Sequence, residues 1–221
     1  PKLEIMLQNM SLFSKGLKFI LIVDDKEKIF YSKNGLVDGL KTENRLSEPF
    51  SYYYQTDDCK VELALQWVSK GGEIKGYANS LYVKDGGRFI SQFKSSLTRT
   101  FNNLAKSKFD GEQIRKLLDG FVSVKVKVGQ WSNQQKTSLA NPEAGTATST
   151  AISDCLKEFV AARPNDFNKV VELLNKLEKA ERAADRAREA VLNQNKEIEK
   201  ELKKKTVMAG KLKDCRVHDE N

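Results

Sequence analysis

Histidine is almost missing from this chain: the one present, His218, lies beside Arg216, Asp219 and Glu220. A general base in a Ser/His/Asp arrangement needs a buried, oriented imidazole, so His218 reads as a solvated side chain. With no tight carboxylate cluster either, a zinc site built on imidazoles is set aside and no metal ligands are assigned. Cysteine is nearly as scarce. Cys59, Cys155 and Cys215 are far apart and odd in number, which gives neither a CxxC knuckle nor a disulfide framework. They read as reduced thiols. No apolar run is longer than Phe19 to Val23, far short of the roughly twenty residues of a membrane span. No basic-then-apolar leader opens the sequence, and the expectation is a cytoplasmic protein without membrane contact. A GxxxxGK[ST] loop is also lacking. Gly71-Gly72 and Gly86-Gly87 do not precede a helix at a spacing that cradles phosphates and read as turn glycines, so a self-contained nucleotide-binding enzyme is not expected.

What is there is enough for one or two domains with real cores: 221 residues, 39% of them hydrophobic. A net charge of +8 permits contact with a polyanion but is diluted by 30 acidic residues. Leu3, Met6, Leu7 and Met10 recur at helical spacing and stop at Ser14-Lys15-Gly16. Leu17 to Val23 and Lys28 to Tyr31 read as strands joined by the turn Asp24 to Glu27, and Asn34 is placed to cap a short helix through Leu40. This opening piece is too small to own a core and is expected to be the end of a domain lying upstream.

Strands follow. Val61, Leu63, Leu65 and Trp67 alternate with Glu62, Ala64 and Gln66, the period-two signature of one buried face. Phe50 to Gln55 and Ile74 to Val83 flank them, with Gly71-Gly72 as a turn, and a meander of about three strands is the economical expectation. Asp85-Gly86-Gly87 opens a helix from Arg88 to Ala105 whose Phe89, Phe93, Leu97, Phe101 and Leu104 form one stripe. A short helix over Gln113 to Leu118 leads to Phe121 to Val128, expected as the last strand. Gly129 to Thr150, poor in apolar residues, is expected as a long functional loop. Helix resumes near Thr150, pauses at Arg163-Pro164, and ends in a long helix whose Val170, Leu173, Leu177, Ala180, Ala184, Ala187, Val191 and Ile198 fit a coiled coil and an extended lever equally.

Gln134-Gln135-Lys136 puts an amide and an ammonium together on that loop, directly after a strand. Lysine is a compact charge on a long stem, suited to a terminal phosphate, and glutamine can donate to a phosphate oxygen; by spacing alone the pair also fits a solvated patch. Arg88, Lys94 and Arg99 on the preceding helix are candidates to face DNA, or an ordinary solvated helix face.

Taken in order, several landmarks resemble the gyrase and topoisomerase IV B subunits of bacteria, the type IIA topoisomerases. They are Val61 to Trp67, Asp85-Gly86-Gly87, Leu97-Thr98-Arg99-Thr100, Val122 to Val126, Gln134-Gln135-Lys136 with Leu139, the alanine- and arginine-rich Lys179 to Ala190, and Gly210 to Cys215. The chain departs from the family at Arg88-Phe89, where Thr-His is usual, at Arg115-Lys116-Leu117 and at Gln135.

The resemblance implies an α+β fold: a transducer-type mixed sheet packed by helices, preceded by a remnant of the ATPase domain and followed by a long C-terminal helix. The expected divisions are 1–41 (end of a GHKL ATPase domain), 42–163 (transducer core), 164–206 (lever helix) and 207–221 (linker toward a TOPRIM domain). It implies that Gln134 and Lys136 touch the γ-phosphate of ATP, with Lys136 in the catalytic role, and that Lys94 lines the passage of a transported DNA segment. ATP and Mg2+ are implied for the full-length enzyme and no ligand for this stretch alone. The implied partners are DNA, the A subunit in an A2B2 assembly and a second B subunit joined through the ATPase domain. The rivals are an adaptor dimerising through the C-terminal helix and a basic DNA-binding module.

Overall fold

The computed structural model describes residues 2–40 and 43–211. The first helix, α1 (Lys2–Phe13), leads into the strands β1 (Lys18–Val23) and β2 (Lys26–Tyr31), followed by a 3-10 turn over Gly35–Gly39. The β1–β2 turn has two residues rather than the expected four. Asp24 and Asp25 both take positive φ, 48° and 58°, the twist that a tight hairpin requires. Asn34 caps nothing with its side chain; instead the Asp38 carboxylate accepts from the Asn34 backbone, the Asn34 side chain and Ser32 Oγ.

The sheet holds β3 (Phe50–Gln55), β4 (Cys59–Trp67), β5 (Ile74–Ala78), β6 (Leu81–Tyr82) and β7 (Leu118–Val126) in the order β3-β4-β7-β5-β6. It is not a meander. The strand expected last in the sheet lies at its centre, antiparallel to β4 and parallel to β5. The expected strand Ile74 to Val83 is two strands, since Asn79 and Ser80 at φ 47° and 67° turn the chain back. Gly71-Gly72 is no hairpin turn either: Gly72 N donates to Lys116 O, and a Cβ on Gly72 would sit 2.6 Å from Leu118 O.

One face of the sheet carries α2 (Arg88–Ala105) and α4 (Pro142–Ala162), with α3 (Gly111–Lys116) between α2 and β7. The expected stripe holds: Phe89, Phe93, Leu97 and Phe101 are fully buried against Val61, Leu63, Leu65, Trp67, Val122 and Val124, each worth about 1.5–3 kcal/mol by burial. α3 starts earlier than expected because Asp110 accepts from the Glu112 and Gln113 amides. α4 likewise begins with Pro142 at its first turn, so the expected loop is confined to the residues before it. Gly145 permits a close approach to α2, where an added Cβ would lie 3.2 Å from Gln92 and 3.3 Å from Arg88, and Ser96 and Ser149 are hydrogen-bonded at 2.6 Å. On the other face Ala64, Tyr77 and Phe121 meet Leu12, Leu36 and Leu40.

The chain divides into two compact units, one running through Leu174 and the second beginning at Asn175. The helix α5 (Pro164–Lys211) passes through both and extends into the stretch expected as a linker. Residues 212–221, including Cys215, His218 and most of the Gly210 to Cys215 landmark, lie outside the described residues.

Candidate functional site

Between β7 and α4 the chain leaves the sheet as a small hairpin. Ala140 N donates to Gln130 O at 2.8 Å and Ser132 N to Ser138 O at 3.0 Å, while Trp131 and Leu139 form an antiparallel bridge. The tip is a turn in which Lys136 N donates to Asn133 O at 3.2 Å. The Asn133 side chain braces it, accepting from Thr137 N at 3.1 Å and donating to Thr137 Oγ1 at 2.6 Å. Gln134 and Gln135 therefore occupy the two central positions, and Gln134, Gln135 and Lys136 are all exposed. Lys136 makes no ion pair among the described residues; its ammonium lies over the Trp131 ring.

The base of the hairpin is fixed. Leu139 is buried and bridges Gly87, its N–H donating to Gly86 O at 3.2 Å and its C=O accepting from Arg88 N at 3.1 Å. Asp85 N donates to Thr137 O at 3.0 Å. Gly87 has φ 116°, and a Cβ there would run into the Leu139 carbonyl, which is why the Gly-Gly pair sits at this spot. Asn141, buried, accepts from Gln130 N at 2.6 Å and donates to Val128 O at 3.0 Å.

The other candidates are not gathered here. Arg88 opens α2 at the foot of the hairpin. Arg99 lies eleven residues on, about 20° around the helix from Arg88, whereas Lys94 lies about 120° away at 100° per residue. All three are exposed, and Lys94 lines a shallow cleft of about 140 Å³ with Tyr82, Val83, Lys84, Asp85 and Gly86. Cys59 and Cys155 are buried free thiols, pushed up to about 11 and about 12 chiefly by burial, so neither is a nucleophile at neutral pH. Gly86-Gly87, Asn133 and Asn141 as builders of the hairpin are beyond sequence reasoning, which offers only a lone tryptophan in a polar stretch as a signal.

The sequence pattern of the family described as DNA gyrase B matches residues 21–190. The chain belongs to the DNA gyrase B family. The DNA gyrase B subunit of Thermus thermophilus is 33% identical over 237 residues, covering 99% of this chain and 36% of the relative. The mitochondrial DNA gyrase B subunit of Arabidopsis thaliana is 33% identical over 211 residues, covering 87% and 28%. The chain thus spans about a third of the length of these curated relatives. In three dimensions it is similar to the 43K ATPase domain of Thermus thermophilus gyrase B solved in complex with an aminocoumarin, with a TM-score of 0.76 and 28% identity over 85% of this chain and 55% of that one. A topoisomerase IV ATP-binding domain from Francisella tularensis shares the fold at TM-score 0.69 and 18% identity. The gyrase B match takes in the hairpin, α2 and most of the described α5. No helix among the described residues is long and apolar enough to cross a membrane.

Proposed function

We propose that this stretch is the transducer of an ATP-dependent type IIA topoisomerase B subunit, and that its 130–140 hairpin reports on the nucleotide. The observation that carries the reading is a hairpin locked at its foot by Gly86, Gly87 and Leu139 yet presenting at its tip Gln134 and an ammonium without a carboxylate partner among the described residues. That set suits the outer oxygens of a terminal phosphate: three N–H donors from Lys136 and an amide from Gln134. It does not suit Mg2+, which wants carboxylate oxygens, so the metal and most of the nucleotide are assigned to a GHKL ATPase domain of the complete subunit. Bound ATP supplies the transferable phosphoryl group and its charge.

Lys136 is held across the domain boundary only while a terminal phosphate is there to meet it, and its release lets the transducer move against the ATPase domain, with α5 carrying the motion onward. The ribbon and helix of residues 2–40 are assigned to that ATPase domain. In the cytoplasmic A2B2 enzyme the partners are DNA, toward which Lys94, Arg88 and Arg99 are assigned, the A subunit and a second B subunit; this chain alone neither hydrolyses ATP nor cuts DNA.

The test is Lys136→Ala in the complete B subunit with its A partner. ATP turnover and supercoiling are expected to fall about a hundred- to a thousandfold, as for loss of a charge contact made in the transition state. Activity within about twofold of the parent, or ATP hydrolysis that follows the isolated chain through purification, refutes the assignment.

A further inference from the structure

The Lys136 ammonium lies 5.8 Å from the centroid of the Trp131 ring. Three features bring the two groups together. Trp131 belongs to the fixed part of the hairpin, bridged to Leu139 and packed half-buried against the main core. Its indole lies across Gly129, where a Cβ would sit 2.8 Å from Nε1, so a side chain at 129 would push the ring from its place. Lys136 takes φ 55°, a left-handed conformation rare outside glycine and asparagine, and from the last position of the turn its side chain returns to the ring five residues earlier.

We infer that Trp131 is a positioning residue: its ring holds the Lys136 ammonium while no nucleotide is bound, and Lys136 leaves the ring to meet the phosphate. The inference rests on the phosphate-sensing reading of the hairpin. A ring face attracts an ammonium weakly at an exposed site. It biases where the lysine rests, yet it releases the lysine readily and adds no negative charge that would repel an incoming phosphate. Ring-held and extended lysines are competing populations, so the ring lowers the apparent affinity for ATP by the fraction of hairpins in which the lysine is engaged.

Two measurements test this. In the 221-residue chain, the ring current is expected to shift the Lys136 ε-methylene protons upfield. Trp131→Leu should return them to the position of a solvated lysine, while Trp131→Phe keeps part of the shift. In the complete B subunit, Trp131→Leu is expected to lower KM for ATP about two- to fivefold, with kcat moving less than KM, and this effect should vanish in a Lys136→Met background. A tryptophan that only braces the hairpin would raise KM or depress kcat, with or without the lysine. Either result, or unshifted methylene protons, overturns the inference, and the phosphate-sensing reading then still stands provided Lys136→Met depresses turnover. A silent Lys136→Met brings down both.

Discussion

β1 and β4 are both rich in apolar side chains, and the two strands meet opposite fates. In β1, Ile20 and Ile22 are 52% and 63% exposed, while in β4 Val61, Leu63, Leu65 and Trp67 are wholly buried. Residue type does not separate them; neighbours do. β4 lies between β3 and β7 under α2 and α4, whereas β1 pairs with β2 alone and meets chiefly α1 besides, which leaves Ile20 and Ile22 open. An isolated two-stranded ribbon is marginal in water, and contiguous apolar surface left open marks a site of contact with something else. Burial is therefore a property of the company a strand keeps.

The buried side of that contrast is the easier to break. Phe93→Ala removes a ring that is fully enclosed between α2 and the sheet. A loss of about 3–5 kcal/mol is expected, read as a lower urea midpoint at unchanged slope. A loss under about 1 kcal/mol would mean that the α2 stripe does not hold the layers together. Gly87→Ala comes next, forcing a Cβ toward the Leu139 carbonyl at φ 116°. About 1–3 kcal/mol is expected from the strain, together with faster hydrogen exchange at the Leu139 and Arg88 amides. Unchanged exchange would show that Gly87 does not anchor the hairpin.

The same contrast explains what can be read from the letters. The stripe of Phe89, Phe93, Leu97 and Phe101 and the alternation of Val122, Val124 and Val126 are legible because each element buries its own periodic face. The central place of β7 is not. Alternation reports one buried face, yet Ser123 and Asp119 are also buried, and only the tertiary neighbours Leu12, Leu36 and Leu40 make the second face an interior. An 18-residue helix between β5–β6 and β7 is the signal for a parallel crossover, and an economical meander overlooks it. The start of α4 is hidden by Gly145-Thr146-Ala147-Thr148-Ser149-Thr150, a run in which every residue but Ala147 has low helix propensity and which tertiary packing on α2 overrides. In the hairpin, resemblance singles out Gln134 and Lys136, and the structure places both on the exposed turn. The contact of Lys136 with Trp131 depends on a left-handed backbone that no residue type at position 136 announces.

The smallest expected effect bears on the other side of the contrast. Ile22→Ser in this chain should change stability by no more than about 0.5 kcal/mol, as for an exposed site away from any packing, measured by urea unfolding. In the complete B subunit, where the proposed reading joins the ribbon to the ATPase domain, the same change should cost several times more, because Ile22 would there be an interior side chain. Equal costs in the two proteins would make the ribbon a solvent-facing surface in its own right, and the apolar residues of β1 would then need another partner to account for them.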